Sequence, residues 1–139
     1  MKTTLVLASI AVALASTACA IKVKKAGAQN LNCPASEVTL TRAKDIDSPG
    51  TVQGCGREDS VLVHCISAKG SAGSASSCKT LWFSEATEQA SFTTGCPKDE
   101  IETTWMKPNL GVDACGQRMT FTPSLSGWIL NSTSEPSEG

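Results

Sequence analysis

Tyrosine is absent from this chain of 139 residues, and histidine occurs once. A seryl hydrolase would have to use His64 as its base, and no G-x-S-x-G motif accompanies it. No C-x-x-C occurs, which excludes the thioredoxin-like redox motif. Beyond Cys19 the shortest gap between cysteines is Cys55 to Cys65 (65 − 55 = 10), too wide for the close ligand pairs of a zinc site. No apolar run approaches the about 20 residues of a membrane-spanning helix. A basic face is missing too: without residues 1–19, and so without Lys2, 11 basic side chains (12 − 1) face 13 acidic ones. That balance argues against a nucleic-acid partner. The residues point to no metal and no cofactor.

Residues 1–19 have the layout of an export signal. Lys2 gives the positive start, "LVLASIAVALA" is a short apolar stretch, and small residues follow. "ASTAC" resembles a relaxed bacterial lipobox, with Ser16 where leucine is usual, so Cys19 is the expected lipidation site. Plain cleavage within "ACA" is the alternative. Residues 20–32 read as a flexible tether whose Lys22, Lys24 and Lys25 lie beside the membrane surface, and all the acids come later.

From Cys33 onward the sequence repeats itself. "CPASEV" at Cys33 is echoed by "CPKDEI" at Cys96, and "VQGCGR" at 52–57 by "VDACGQ" at 112–117. The leading cysteine lies 22 residues before Cys55 (55 − 33) and 19 before Cys115 (115 − 96). Strand patterns fill both copies. "EVTLTRA" and "EIETTWM" alternate with period two; "TVQGC", "SVLVHCI", "KTLWF", "ASFTTG", "VDAC", "QRMTFTP" and "GWIL" read as short strands. "KDIDSPG" and "KPNLG" are turns, and "SAKGSAGSASS" at 67–77 is a loop without packable side chains. No helical period lasts three turns.

The fold expected is mainly β: small, disulfide-stapled antiparallel β modules, duplicated. Copy one covers 33–83, copy two 96–130, and 131–139 is a disordered tail. The join at 84–95 has no Pro/Gly-rich spacer, which favours one continuous unit. Modules this small need staples. Six cysteines allow 15 connectivities. An antiparallel hairpin brings its outer ends together, so Cys33 is expected to meet Cys55 and Cys96 to meet Cys115. Cys65 and Cys78 are left to close the Gly/Ser/Ala loop. Cross-linking between copies is the competing arrangement. Gly56 and Gly116 suit a positive φ, whereas Ala114 stands where copy one has Gly54.

The remaining candidates carry little chemistry. His64 and Cys65 are strand neighbours, so their side chains point to opposite faces. Asp45 and Asp47 make a poor calcium loop and a good turn. Glu58, Asp59, Asp99 and Glu102 form no motif. Glu37 and Glu100 hold equivalent places, with Arg57 and Arg118 as expected ion-pair partners. "NST" at Asn131 matches a glycosylation sequon, which a bacterial lipoprotein would not use.

The order Cys-Pro-x-x-Glu-Val, Gly-Cys-Gly-Arg, then a β-rich segment ending in cysteine resembles a cysteine-rich module of uncharacterised secreted lipoproteins from myxobacteria and related bacteria. The resemblance spans about residues 33–123. It places Cys33, Cys55, Cys65 and Cys78 in copy one, with Val63 at the usual aromatic, and Cys96, Cys115 and Phe121 in copy two, which lacks the third and fourth cysteines. It implies no activity.

The expected function is that of an exported, lipid-anchored, non-catalytic protein of the bacterial cell envelope, at the outer membrane or else secreted. Its partners would be the membrane, through its anchor, and an unknown protein or envelope ligand. The alternative is a small secreted enzyme or enzyme inhibitor with a surface-loop site. A cleft holding His64 and two carboxylates would favour the enzyme. An exposed apolar patch at Trp82, Phe83 or Trp128 would favour a binding module.

Overall fold

Period-two apolar patterning interrupted by short turns yields eight strands in two antiparallel sheets. The computed structural model describes residues 10–41, 48–67 and 76–134, without the side chains of 10–19, 67 and 76. In chain order, β1 (Thr39–Thr41), β2 (Gly50–Gly54), β3 (Arg57–Ser67) and β4 (Ser76–Trp82) form one sheet. Strands β5 (Ile101–Met106), β6 (Asn109–Ala114), β7 (Gln117–Ser124) and β8 (Gly127–Ser134) form the other. Each sheet is a meander in sequence order. The chain divides into two compact units, Met1–Thr41 with Val52–Glu58 and Arg42–Thr51 with Asp59–Gly139, and the join at 84–95 lies inside the second.

Two helices depart from the sequence expectation. Helix α1 (Ile10–Asn30) occupies 20–30, where a tether was expected. It buries Val23 and Gly27, with buried Leu31 just past its end continuing the four-residue spacing, and contacts β1 and the 3-10 turn Ala35–Glu37. A stripe containing glycine leaves almost no apolar period in the sequence. The helix ends in a Schellman motif: Cys33 N–H donates to Ala28 O at 2.9 Å, Asn32 N–H to Gln29 O at 3.2 Å, and Asn32 has φ 50°. No described helix is long and apolar enough to cross a membrane.

Helix α2 (Phe83–Thr94) replaces the expected "ASFTTG" strand and takes Phe83 from "KTLWF". Ser84, Glu85, Ala86, Glu88, Gln89 and Ala90 start the helix, and Asp59 accepts from Ser84 N–H at 3.2 Å. In its last turn Thr93 and Thr94 Oγ1 donate to Gln89 O and Ala90 O, each at 2.8 Å, which satisfies the hydroxyls locally. Gly95, at φ 75°, terminates it. The buried stripe Phe83, Ala86, Ala90 packs on β5, β6 and β7. Small residues let the helix approach closely.

The core of this unit joins that stripe to Leu62, Leu81, Leu110, Val112, Met119, Phe121 and Trp128. Phe83 meets the Trp128 ring edge-on at 5.8 Å, and Trp128 Nε1–H donates to Trp82 O at 2.8 Å. Trp82, Phe83 and Trp128 are therefore buried, each at 7 % exposure, so they do not form the exposed apolar patch that would have favoured a binding module.

Smaller corrections follow from hairpin register. Met106 pairs with Asn109, so the "KPNLG" turn shrinks to Lys107–Pro108 and its last three residues join β6. Strand β8 runs to Ser134 because Arg118, Met119 and Thr120 pair with Ser134, Thr133 and Ser132. The polar start of the expected tail is thus strand. Residues 135–139, Asp45 and Asp47, and the loop tip 68–75 lie outside the described residues.

Candidate functional site

The repeated cysteines build two matching corners. Each starts at a proline in extended geometry: Pro34 has φ −57° and ψ 136°, and Pro97 has φ −57° and ψ 139°. A 3-10 turn follows, closed by Glu37 N–H to Pro34 O at 2.9 Å and Glu100 N–H to Pro97 O at 3.0 Å. The chain then enters β1 or β5, returns along β2 or β6, and reverses through Cys-Gly. At that reversal Cys55 and Gly56 have φ 51° and 72°, and Cys115 and Gly116 have φ 53° and 85°. Two positive φ values are the requirement of a type I′ hairpin turn. Glycine suits it; a left-handed cysteine costs roughly 1–2 kcal/mol. The covalent link holds the cysteine there.

Disulfides join Cys33 to Cys55 and Cys96 to Cys115, with Cα separations of 5.8 and 5.7 Å. The third joins Cys65 to Cys78, directly opposed residues of β3 and β4. Each link closes within one copy. In both corners the leading cysteine is buried, Cys33 at 8 % and Cys96 at 3 % exposure, while its partner is exposed.

A carboxylate caps each exposed sulfur. Glu37 Oε2 lies 3.3 Å from Cys55 Sγ, and Glu100 Oε2 lies 3.5 Å from Cys115 Sγ. A disulfide sulfur carries no proton, so these are contacts and not hydrogen bonds. The expected ion pairs do not form. Arg57 reaches back to Leu31 O at 3.4 Å, and Arg118 pairs with Asp113 at 3.5 Å. Equivalence of the two glutamates was legible in the sequence; the sulfur beside them was the missed partner.

Two sulfurs and a carboxylate oxygen within 4.8 Å recur in both corners, an incomplete soft-metal set. Metal binding requires thiolates, and these sulfurs are bonded to one another. As they stand, the corners are covalent staples with a negative guard.

The other candidates are dispersed. His64 faces Lys79 across the β3–β4 ladder, next to the Cys65–Cys78 pair. Asp59 serves the start of α2, and Glu58 accepts from the Gln53 amide. Lys98 holds Glu88 at 2.7 Å. Asp99 and Glu102 lie on the second corner's 3-10 turn and on β5, and Asn131 on β8. Cys19 falls within α1, at a position whose side chain is not described. Phe92 on α2, at 93 % exposure, was not anticipated.

No protein-family model, no curated protein and no solved structure matches this chain.

Proposed function

We propose that this chain is an exported, lipid-anchored, non-catalytic protein of the bacterial cell envelope, with a structural or binding role. The observation that carries the reading is that all six cysteines beyond Cys19 are paired within their own copies. Three structural disulfides belong to an oxidising compartment, and they leave Cys19 as the odd cysteine behind an export-type leader. His64 faces a cation across the ladder, where a general base would need a carboxylate to orient it. That arrangement supports a scaffold over a catalyst.

Replacing Cys19 by Ser tests the anchor. The wild-type chain is expected in the membrane fraction with a lipid mass on Cys19, and the variant in the soluble fraction. A variant that stays membrane-bound, with a wild type that carries no lipid, contradicts the proposal.

A further inference from the structure

The duplication extends upstream of the cysteines. Cys33 and Cys96 are 63 residues apart (96 − 33), and the same offset carries Val23 to Ala86, Gly27 to Ala90 and Asn32 to Gly95. The first two pairs are buried helix positions, and the third supplies the left-handed residue that ends each helix. Helices α1 and α2 are therefore the same element in two copies, each packed on the strand and 3-10 turn that follow it.

Their outward faces carry opposite charge. At 100° per residue, Ile21, Lys22, Lys25 and Gln29 point away from Val23 and Gly27, and all four are exposed, Ile21 at 66 %. The same offset places Glu85 at Lys22 and Glu88 at Lys25. The fold accepts acids there, so it does not require the lysines. Residues 10–30 contain no Asp or Glu, and Lys24 adds a third cation beside the face.

We infer that this face of α1 docks on the anionic headgroups of the membrane that holds the Cys19 lipid, an inference that rests on the anchor proposed above. Charge complementarity names the occupant, because clustered lysines beside a lipid anchor are drawn to anionic phospholipid. Ile21 adds the apolar contact of an interfacial helix. Cys19 lies two residues before Ile21, so the anchor delivers the face to the surface. Val23, Gly27 and Leu31 fix α1 to β1 and its 3-10 turn, and docking would therefore orient that unit where a tether would leave it free.

The native chain, as its cells process it, is reconstituted on vesicles of phosphatidylcholine alone or with equimolar phosphatidylglycerol, and exchange of the α1 amides is followed. Exchange is expected to slow on the anionic vesicles only, and high salt should abolish the difference. Lys22→Gln with Lys25→Gln should weaken docking about thirtyfold at low salt, and Lys22→Glu with Lys25→Glu by more. Retained disulfide pairing reports that these variants fold. Equal exchange on both vesicles, or slowing that survives charge reversal, overturns the inference. So does slowing seen only in whole envelopes, which would indicate an acidic protein. If Cys19 proves to carry no lipid, flotation of the chain with anionic but not neutral vesicles reads the same face, so anchor and docking fail separately.

Discussion

Around residues 33–41 with 50–56, and around 96–106 with 109–116, the described backbone makes the same sequence of elements. Extended proline, 3-10 turn, outgoing strand, return and left-handed Cys-Gly recur, with φ of 51° and 53° at the two cysteines and 72° and 85° at the two glycines. Outside that corner the copies part. Upstream, one helix shows lysines where the other shows glutamates. Downstream, Cys55 and Cys115 set an offset of 60 (115 − 55), which places Ser124 at His64. Copy two turns there, with Ser124 paired to Gly127, whereas β3 and β4 continue through Cys65 and Cys78. The third disulfide thus staples an extension that copy two does not have. The corner is what the fold needs, and its two flanks are where each copy is free to differ.

Loss of a corner staple is expected to have the largest effect. Removing Cys33–Cys55 or Cys96–Cys115 by double Ala substitution should each cost about 3 kcal/mol in urea unfolding, by loop-closure entropy. Strongly unequal costs would deny the equivalence. Placing Asn at Cys55 in the first of these should regain about 1 kcal/mol over Ala, since Asn-Gly favours the type I′ turn.

A smaller effect separates the corners. A Cβ built on Gly54 would lie 3.1 Å from both Cys33 Sγ and Val38 Cγ2, a disulfide atom and a fully buried side chain. Gly54→Ala is therefore expected to cost about 1–3 kcal/mol by overpacking. The reciprocal Ala114→Gly should cost about 0.5–1 kcal/mol through backbone freedom. A neutral Gly54→Ala in thermal unfolding would show that the two corners are interchangeable.

The staples should also differ in their resistance to a dithiol. Attack by a thiolate on Cys55 or Cys115 meets Glu37 or Glu100, and the other sulfur of each pair belongs to a buried cysteine. Cys65 and Cys78 are both exposed, with His64 and Lys79 beside them. Access and charge both favour their reduction. Timed reduction and alkylation should label Cys65 and Cys78 first, and Glu37→Gln or Glu100→Gln should speed loss of the adjoining staple. Simultaneous labelling of all six cysteines would contradict this.

The smallest effect concerns Glu88, whose carboxyl is held below its ordinary range by a hydrogen bond from Lys98 and then by that lysine's charge. A lowered folded value means that the pair's contribution is complete above the ordinary carboxylate range and disappears as pH falls through the lowered value. Both side chains are mostly exposed, so the change should be slight. Copy one has Ala35 at the position of Lys98 and no such pair. Glu88→Gln should remove a small acid-side slope from the unfolding midpoint; an unchanged slope would leave the pair without consequence.

Strand content was legible because β3, β5 and β7 alternate or run β-branched, and turn residues separate them. The corner was legible because Cys-Pro and Cys-Gly use residues with few conformational alternatives. The helices were not. Their buried stripes contain Gly27, Ala86 and Ala90, which pack by being small and leave no apolar period. Phe92 and the threonines near Gly95 have strand propensity, and packing of the helix's buried stripe on β5, β6 and β7 overrides it. The glutamate at each corner was visible as a repeat, but its sulfur neighbour depends on a closure that only three dimensions supply.

Peptide mapping of the oxidised protein under non-reducing conditions tests the duplicated corner most directly. Three linked fragments are expected, joining Cys33 to Cys55, Cys65 to Cys78 and Cys96 to Cys115. A fragment that covalently joins any cysteine of 33–78 to Cys96 or Cys115 would contradict it.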